Sequence, residues 1–352
     1  MNTVGQHICL FLFSVFSTGE LFGFSLLEQN MNFPPYSFAT ASLSFSIAGL
    51  ILNFYTLDYI IAKLQIKITL LVGVFLLEVG LIFAQFPQLH PCGYISCISI
   101  GSGNALIYSS LFYLYGNFKS FGVIISFGFG FSTTLFYLSY LTKYTLYGLN
   151  FMIVVTYLIF NPKSEPVVFQ KQSFNFKSKT TIFLTLSISF SCFGKNLLTS
   201  TFFKFSQDQL IFTLALLFGL VSSIFLFSVP VSFAVFQIFS VISLLLSVFS
   251  TEKIVQAAFF LANFSASGMI SLSFILSTVT NSSSLVYFAL LISNLAGYFS
   301  GFAHQIHQVV YVCCCISGLV FAILGAIAWS AGRKKIAMVV ESSLNESADG
   351  IV

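Results

Sequence analysis

ICLFLFSVFSTGELFGFSLL, residues 8–27, is the stretch on which the reading of this chain turns. As a helix it rises about 30 Å, the thickness of a bilayer's hydrocarbon core. It nevertheless carries Glu20 near its middle. A carboxylate at that depth costs about 2.5 kcal/mol or more on insertion scales, so its side chain must face protein or water rather than lipid. Gly19 and Gly23 flank it at a four-residue spacing, which lets a second helix approach that face closely. Two readings follow: a neutral, hydrogen-bonded structural glutamate, or a substrate or proton site in a solute pathway. We take the second.

The rest of the composition sets the same stage. Of 352 residues, 57% are hydrophobic and 7% charged, and the mean hydropathy is +0.97. Soluble domains carry about 25% charged residues. Between Lys253 and Arg333 no Asp, Glu, Lys or Arg occurs, a length that must hold several membrane crossings. The long apolar runs do not alternate, which excludes a β-barrel. The chain is thus expected to be an all-α polytopic membrane protein.

Apolar runs divided by charge, Pro or Asn predict twelve spans near 7–28, 37–57, 68–86, 92–116, 120–141, 145–161, 180–203, 209–228, 231–250, 255–279, 284–303 and 308–331. The one long connection, 162–179, separates two sets of six. The predicted organisation is a six-helix bundle over 1–161, a cytoplasmic linker at 162–179, a second bundle over 180–332 and a disordered polar tail at 333–352. With a cytoplasmic N-terminus, the inner side holds Lys63, Lys67, Lys119, Lys163, Lys171, Lys177, Lys179, Arg333, Lys334 and Lys335, and the outer side only Lys143, Lys204 and Lys253. That asymmetry follows the positive-inside rule and places both termini in the cytoplasm. Two six-helix halves joined by a basic inner loop are the plan of the major facilitator architecture, which rocks two halves about a midplane site.

Equivalent spans of the two halves then line one cavity. Lys195 in span 7 falls at about the depth of Glu20 in span 1. It either snorkels to the headgroups or forms, with Glu20, a charged pair or the two ends of a solute site. Asp58 and Lys63, at the inner end of span 2 and in the short loop after it, are gating candidates; the alternative is a solvated loop charge. Glu78 lies mid-span 3. Asn104, Tyr108, Ser109 and Ser110 give span 4 a polar face, with 104 and 108 one above the other. That face suits substrate contact and helix–helix hydrogen bonding equally. Gly297 and Gly301 read as a packing face, and His304 and His307 lack carboxylate company.

Several function classes have nothing to stand on. GSGN at 101–104 lies inside a span and lacks the third glycine of a phosphate loop. There is no Ser/His/Asp array and no HExxH, so no enzyme, cofactor or metal site is expected. Cys313, Cys314 and Cys315 are consecutive and point in three directions on a helix; they read as small membrane-embedded residues. The scattered lysines form no stripe for nucleic acid. Asn263, Asn281 and Asn345 begin N-x-S sequences but fall inside a span or on the inner side, so no glycan is expected there.

STGELFGFSLLEQNMNF (17–33) resembles the first helix and following loop of the reduced folate carriers and their thiamine-transporter relatives, which carry a proline-glycine-glutamate signature there. LDYIIAKLQ (57–65) is similar to their inner loop after helix 2, ALIYSSLFYLYG (105–116) to their helix 4, and LYGLNFMIVVTYLIFNPKSEPVVFQ (146–170) to their helix 6 and its basic exit. STVTNSSSLVYFALLISNLAGYFSG (277–301) shares the layout of helices 10 and 11. The resemblance implies a facilitator fold importing folates, thiamine or related organic ions. It would make Glu20 the family's helix 1 glutamate at the substrate cavity and Tyr108 its helix 4 tyrosine near the ligand.

The departures narrow the substrate. Folate carriers place cations in helices 4, 10 and 11, whereas here helix 4 has Ala105 and spans 10 and 11 have no Lys or Arg. A thiamine-type helix 4 has a carboxylate where Ala105 stands. The expected function is therefore transport of a vitamin-sized heteroaromatic ion, thiamine-like before folate-like, bound at Glu20, Asn104, Tyr108, Ser109 and Lys195. The alternative is a non-transporting, carrier-like membrane protein acting as sensor or scaffold.

Overall fold

A computed structural model describes residues 4–15, 17, 33–34, 36–52, 57–86, 88–115, 124–125, 127–128, 131, 182, 185–195, 198, 209–224, 229–247, 251–280, 287–292, 295, 313, 316–317 and 320. Among the described residues the secondary structure is helical, with no strand. The helices are α1 (Val4–Val15), α2 (Ser37–Ile51), α3 (Leu57–Ala84), α4 (His90–Tyr115), α5 (185–195), α6 (Gln209–Ile224), α7 (Val229–Ser247), α8 (Glu252–Thr280) and α9 (287–292). α4 packs on both α2 and α3, and α8 on both α6 and α7. Two of these stretches, His90–Tyr115 and Glu252–Ile270, are each long and apolar enough to cross a bilayer.

The helices fall where apolar length put them, with one difference. The segment 57–65, expected as a loop, is the start of α3. Leu57, Ile60, Ile61, Leu64 and Ile68 repeat at helical spacing with no Gly or Pro among them. At 28 residues α3 is about 42 Å long, more than the hydrocarbon core requires.

Large apolar side chains face outward as well as inward. α7 buries Ser232, Gln237, Ser240, Ser243 and Ser247 while exposing Val231, Ile238, Ile242 and Leu245. α3 exposes Ile68, Leu71, Val72, Phe75 and Ile82 along one stripe. Cys313, Ile316, Ser317 and Val320 repeat at i, i+3, i+4 and i+7 and are all exposed, so Cys313 sits on an outer face rather than inside the bundle. Water does not tolerate such apolar faces, but lipid does, and helices in lipid associate through small and polar residues instead.

Those buried hydroxyls are satisfied mostly by their own helices. Ser14 bonds to the Leu10 carbonyl at 2.8 Å, Ser46 to that of Ser42 at 2.9 Å and Ser243 to that of Ser240 at 2.7 Å. Others reach across: Ser96 to the Gly80 carbonyl at 2.6 Å, Ser265 to that of Phe236 at 2.7 Å, and Gln237 Nε2 to that of Ser187 at 2.9 Å. The GSGN stretch is a packing device. A Cβ on Gly101 would strike the Ala41 carbonyl of α2, and one on Gly103 would come within 2.7 Å of the Gly73 carbonyl of α3. Glycine at both positions lets α4 touch two neighbours at backbone distance.

Candidate functional site

α4 carries the polar face that the sequence singled out, and the structure divides it between two neighbourhoods. Asn104 is fully buried; its Nδ2 donates to the Ile100 carbonyl of the preceding turn at 3.1 Å, while Oδ1 is buried without a hydrogen-bond partner. Tyr108, one turn on, donates its hydroxyl to the Ser14 carbonyl of α1 at 3.2 Å. Its ring stands edge-on to Phe45 of α2, with centroids 5.9 Å apart at 87°. Ser110 is buried and its Oγ lacks a partner.

Ser109 faces elsewhere. Its Oγ lies 3.2 Å from the hydroxyl of Tyr287 on α9, which in turn reaches the Ala105 carbonyl at 3.5 Å. Ala105 and Ser109 are four residues apart and so share one face of α4. The ring of Tyr287 lies 5.3 Å from that of Phe45 and covers Gly49 so closely that a Cβ there would overlap it. On the other side of α9, the Ser189 hydroxyl of α5 is shared between the Thr185 carbonyl at 2.7 Å and the Ala289 carbonyl at 3.0 Å.

Lys195 is half-buried on α5. Ser187, Ser191 and Lys195 are four residues apart and line one face of that helix; Ser187 and Ser191 keep buried Oγ atoms without partners. Glu20 lies outside the described residues, so the pairing of Glu20 with Lys195 has no geometry here. Asp58 and Lys63 lie on the first two turns of α3, with side chains outside the described residues. Glu78 is half-buried on α3. Asn294, Gly297, Gly301, His304 and His307 also lie outside them.

The sequence reading did not single out Tyr287, Gly49, Phe45 or Ser14. In a chain with 46 Phe and 15 Tyr, an aromatic residue in an apolar run carries no signal of its own. Only the faint 277–301 resemblance passed over position 287. Among the described residues no three His, Cys, Asp or Glu side chains gather as a metal site would require. The described cysteines are free thiols.

Neither a family model nor a curated protein matches the sequence. Solved structures do. A bacterial homologue of the iron transporter ferroportin, outward-facing with soaked iron, aligns with a TM-score of 0.65 at 13% identity, over 94% of this chain and 99% of that one. A bacterial homologue of ferroportin in outward-facing state gives 0.66 at 13% identity over 93% and 99%. FucP, a Major Facilitator Superfamily transporter in the outward conformation, gives 0.62 at 11% identity over 92% and 98%. The chain therefore has the major facilitator fold, an all-α polytopic membrane architecture.

Proposed function

We propose that the chain is a secondary transporter moving a small organic solute across the plasma membrane by alternating access, with both termini cytoplasmic. The observation that carries this reading is near-complete coverage of facilitator transporters, 94%, 93% and 92% of this chain in three comparisons. That coverage supports a carrier of two rocking halves, which we assign as bundles at 1–161 and 180–332 about the linker 162–179. The iron of the ferroportin homologue does not transfer at 13% identity.

The substrate class rests on the sequence resemblance: a vitamin-sized heteroaromatic organic ion, thiamine-like in preference to folate. Glu20 meets a cationic or hydrogen-bond-donating group. Tyr108 stacks on a ring, worth about 0.5–2 kcal/mol for a cationic one. Asn104 offers its unpartnered Oδ1, and Ser109 a hydroxyl. Lys195 holds an anionic substituent or exchanges partners with Glu20 as the halves rock. Asp58 and Lys63 tether the halves in one state.

One observation favours the sensor or scaffold alternative. Tyr108 is 2% exposed, its ring packed on Phe45 and its hydroxyl engaged by Ser14. Uptake separates the two. Proteoliposomes holding the full chain are given labelled thiamine or folate, and the parent is compared with Glu20→Gln and Lys195→Ala. Saturable thiamine uptake that falls at least about tenfold in Glu20→Gln is expected, as befits loss of a buried charge contact. No uptake of either solute by the parent overturns the substrate class, and parental rates in both variants remove the two residues from the site.

A further inference from the structure

Ser109 and Tyr287 are 178 residues apart in the chain, one in each sequence half, and their contact is part of a larger fitting. We propose that Tyr287 is a latch that holds the two bundles closed at one end, with Gly49 as its socket. This rests on the transporter reading but not on the identity of the solute.

The fitting has three parts. The Tyr287 hydroxyl lies between Ser109 Oγ and the Ala105 carbonyl, so a proton from Ser109 to Tyr287 and one from Tyr287 to Ala105 satisfies both hydroxyls. The ring seats on bare backbone at Gly49 and against Phe45. Behind it, the Ser189 hydroxyl shares its proton between the Thr185 carbonyl of its own helix at 2.7 Å and the Ala289 carbonyl at 3.0 Å, tying α9 to α5. A tyrosine with its polar tip satisfied and its ring seated is held at both ends.

The position along the helices says which end is closed. Gly49 is near the C-terminal end of α2 (Ser37–Ile51) and Ser109 is in the last two turns of α4 (His90–Tyr115). The described part of α9 begins with Tyr287, beside these C-terminal turns. Lysine asymmetry puts that end at the cytoplasmic face. A carrier closed on its inner side is outward-facing, the state of the three structures it resembles. Alternating access requires the latch to open once per cycle.

Amide hydrogen exchange of the full chain in detergent, without solute, tests this. Gly49→Ala puts a methyl where the ring seats, and is expected to raise exchange about tenfold over 287–292 and the last two turns of α4. The same variant is expected to lower exchange at the opposite end of α4, around His90–Ser96, because the halves rock toward the other state. Tyr287→Phe keeps the ring and loses the hydroxyl, and is expected to raise inner-end exchange about fivefold. Gly49→Ala combined with Tyr287→Ala removes the clash, and is expected to exchange less at the inner end than Gly49→Ala alone. A rise at both ends of α4, or no change at either, overturns the latch. So does a double variant no better protected than Gly49→Ala. None of these outcomes depends on uptake, so failure of thiamine transport leaves the test intact.

Discussion

The Tyr108 hydroxyl of α4 donates to the Ser14 main-chain carbonyl of α1 at 3.2 Å, joining residues 94 positions apart. A buried tyrosine needs an acceptor for its O–H, and the carbonyl supplies one without any change in sequence composition. Tyr108→Phe is therefore expected to lower stability by about 1 kcal/mol, read as a fall in melting temperature in detergent. Because it keeps the ring, its KM for thiamine uptake stays within about twofold of the parent, whereas Tyr108→Ala raises KM by about 2–30-fold. An unchanged KM in Tyr108→Ala sinks the stacking role.

Gly101 supports a purely structural prediction. A side chain there meets the Ala41 carbonyl, Ser44 Cβ and the Phe45 amide nitrogen, so backbone rather than a flexible tip must move. Gly101→Val is expected to cost about 1–3 kcal/mol. A chemical-denaturation midpoint equal to the parent's contradicts the close α2–α4 approach.

Asn104 separates stability from function. Its Oδ1 is buried without a partner, a state that costs about 1–3 kcal/mol. Asn104→Leu, of similar size, forgoes the Ile100 bond but removes that penalty, so its melting temperature is expected to equal or exceed the parent's. Uptake is expected to fall if the oxygen meets solute. A variant both less stable and fully active reverses the assignment and leaves Asn104 as a structural residue.

Asn263 begins an N-x-S sequence, yet it is fully buried in α8 with Nδ2 donating to the Phe259 carbonyl at 2.8 Å. No glycan transferase reaches such a position. Expression in a glycosylating host is expected to give the same mass for the parent and Asn263→Gln, before and after endoglycosidase treatment. A mass difference at Asn263 contradicts its placement.

Legibility in the sequence followed the physics of length. The span expected at 92–116 is helix His90–Tyr115, and that at 255–279 is Glu252–Thr280, because a long apolar run in lipid has no alternative that satisfies its backbone. The segment 57–65, expected as a loop, is helical: Asp58 and Lys63 interrupt hydrophobicity without interrupting helical spacing. Asn104, Tyr108 and Ser109 were visible as polar residues in one apolar run. That Ser109 turns to Tyr287 while Tyr108 turns to Ser14 was not.

Sequence alone pointed to a helical membrane chain on a facilitator plan and to where several of its long helices lie. Apolar length is a property of the linear chain, and it suffices for that much. Which faces meet was decided only by tertiary structure. In water a core-facing stripe differs from a solvent-facing one in hydrophobicity, but in lipid both are apolar, so the sequence carries little contrast between them. Gly49 under Tyr287 is the clearest case: a missing side chain on α2 and a ring on α9 have no meaning until those two helices come together.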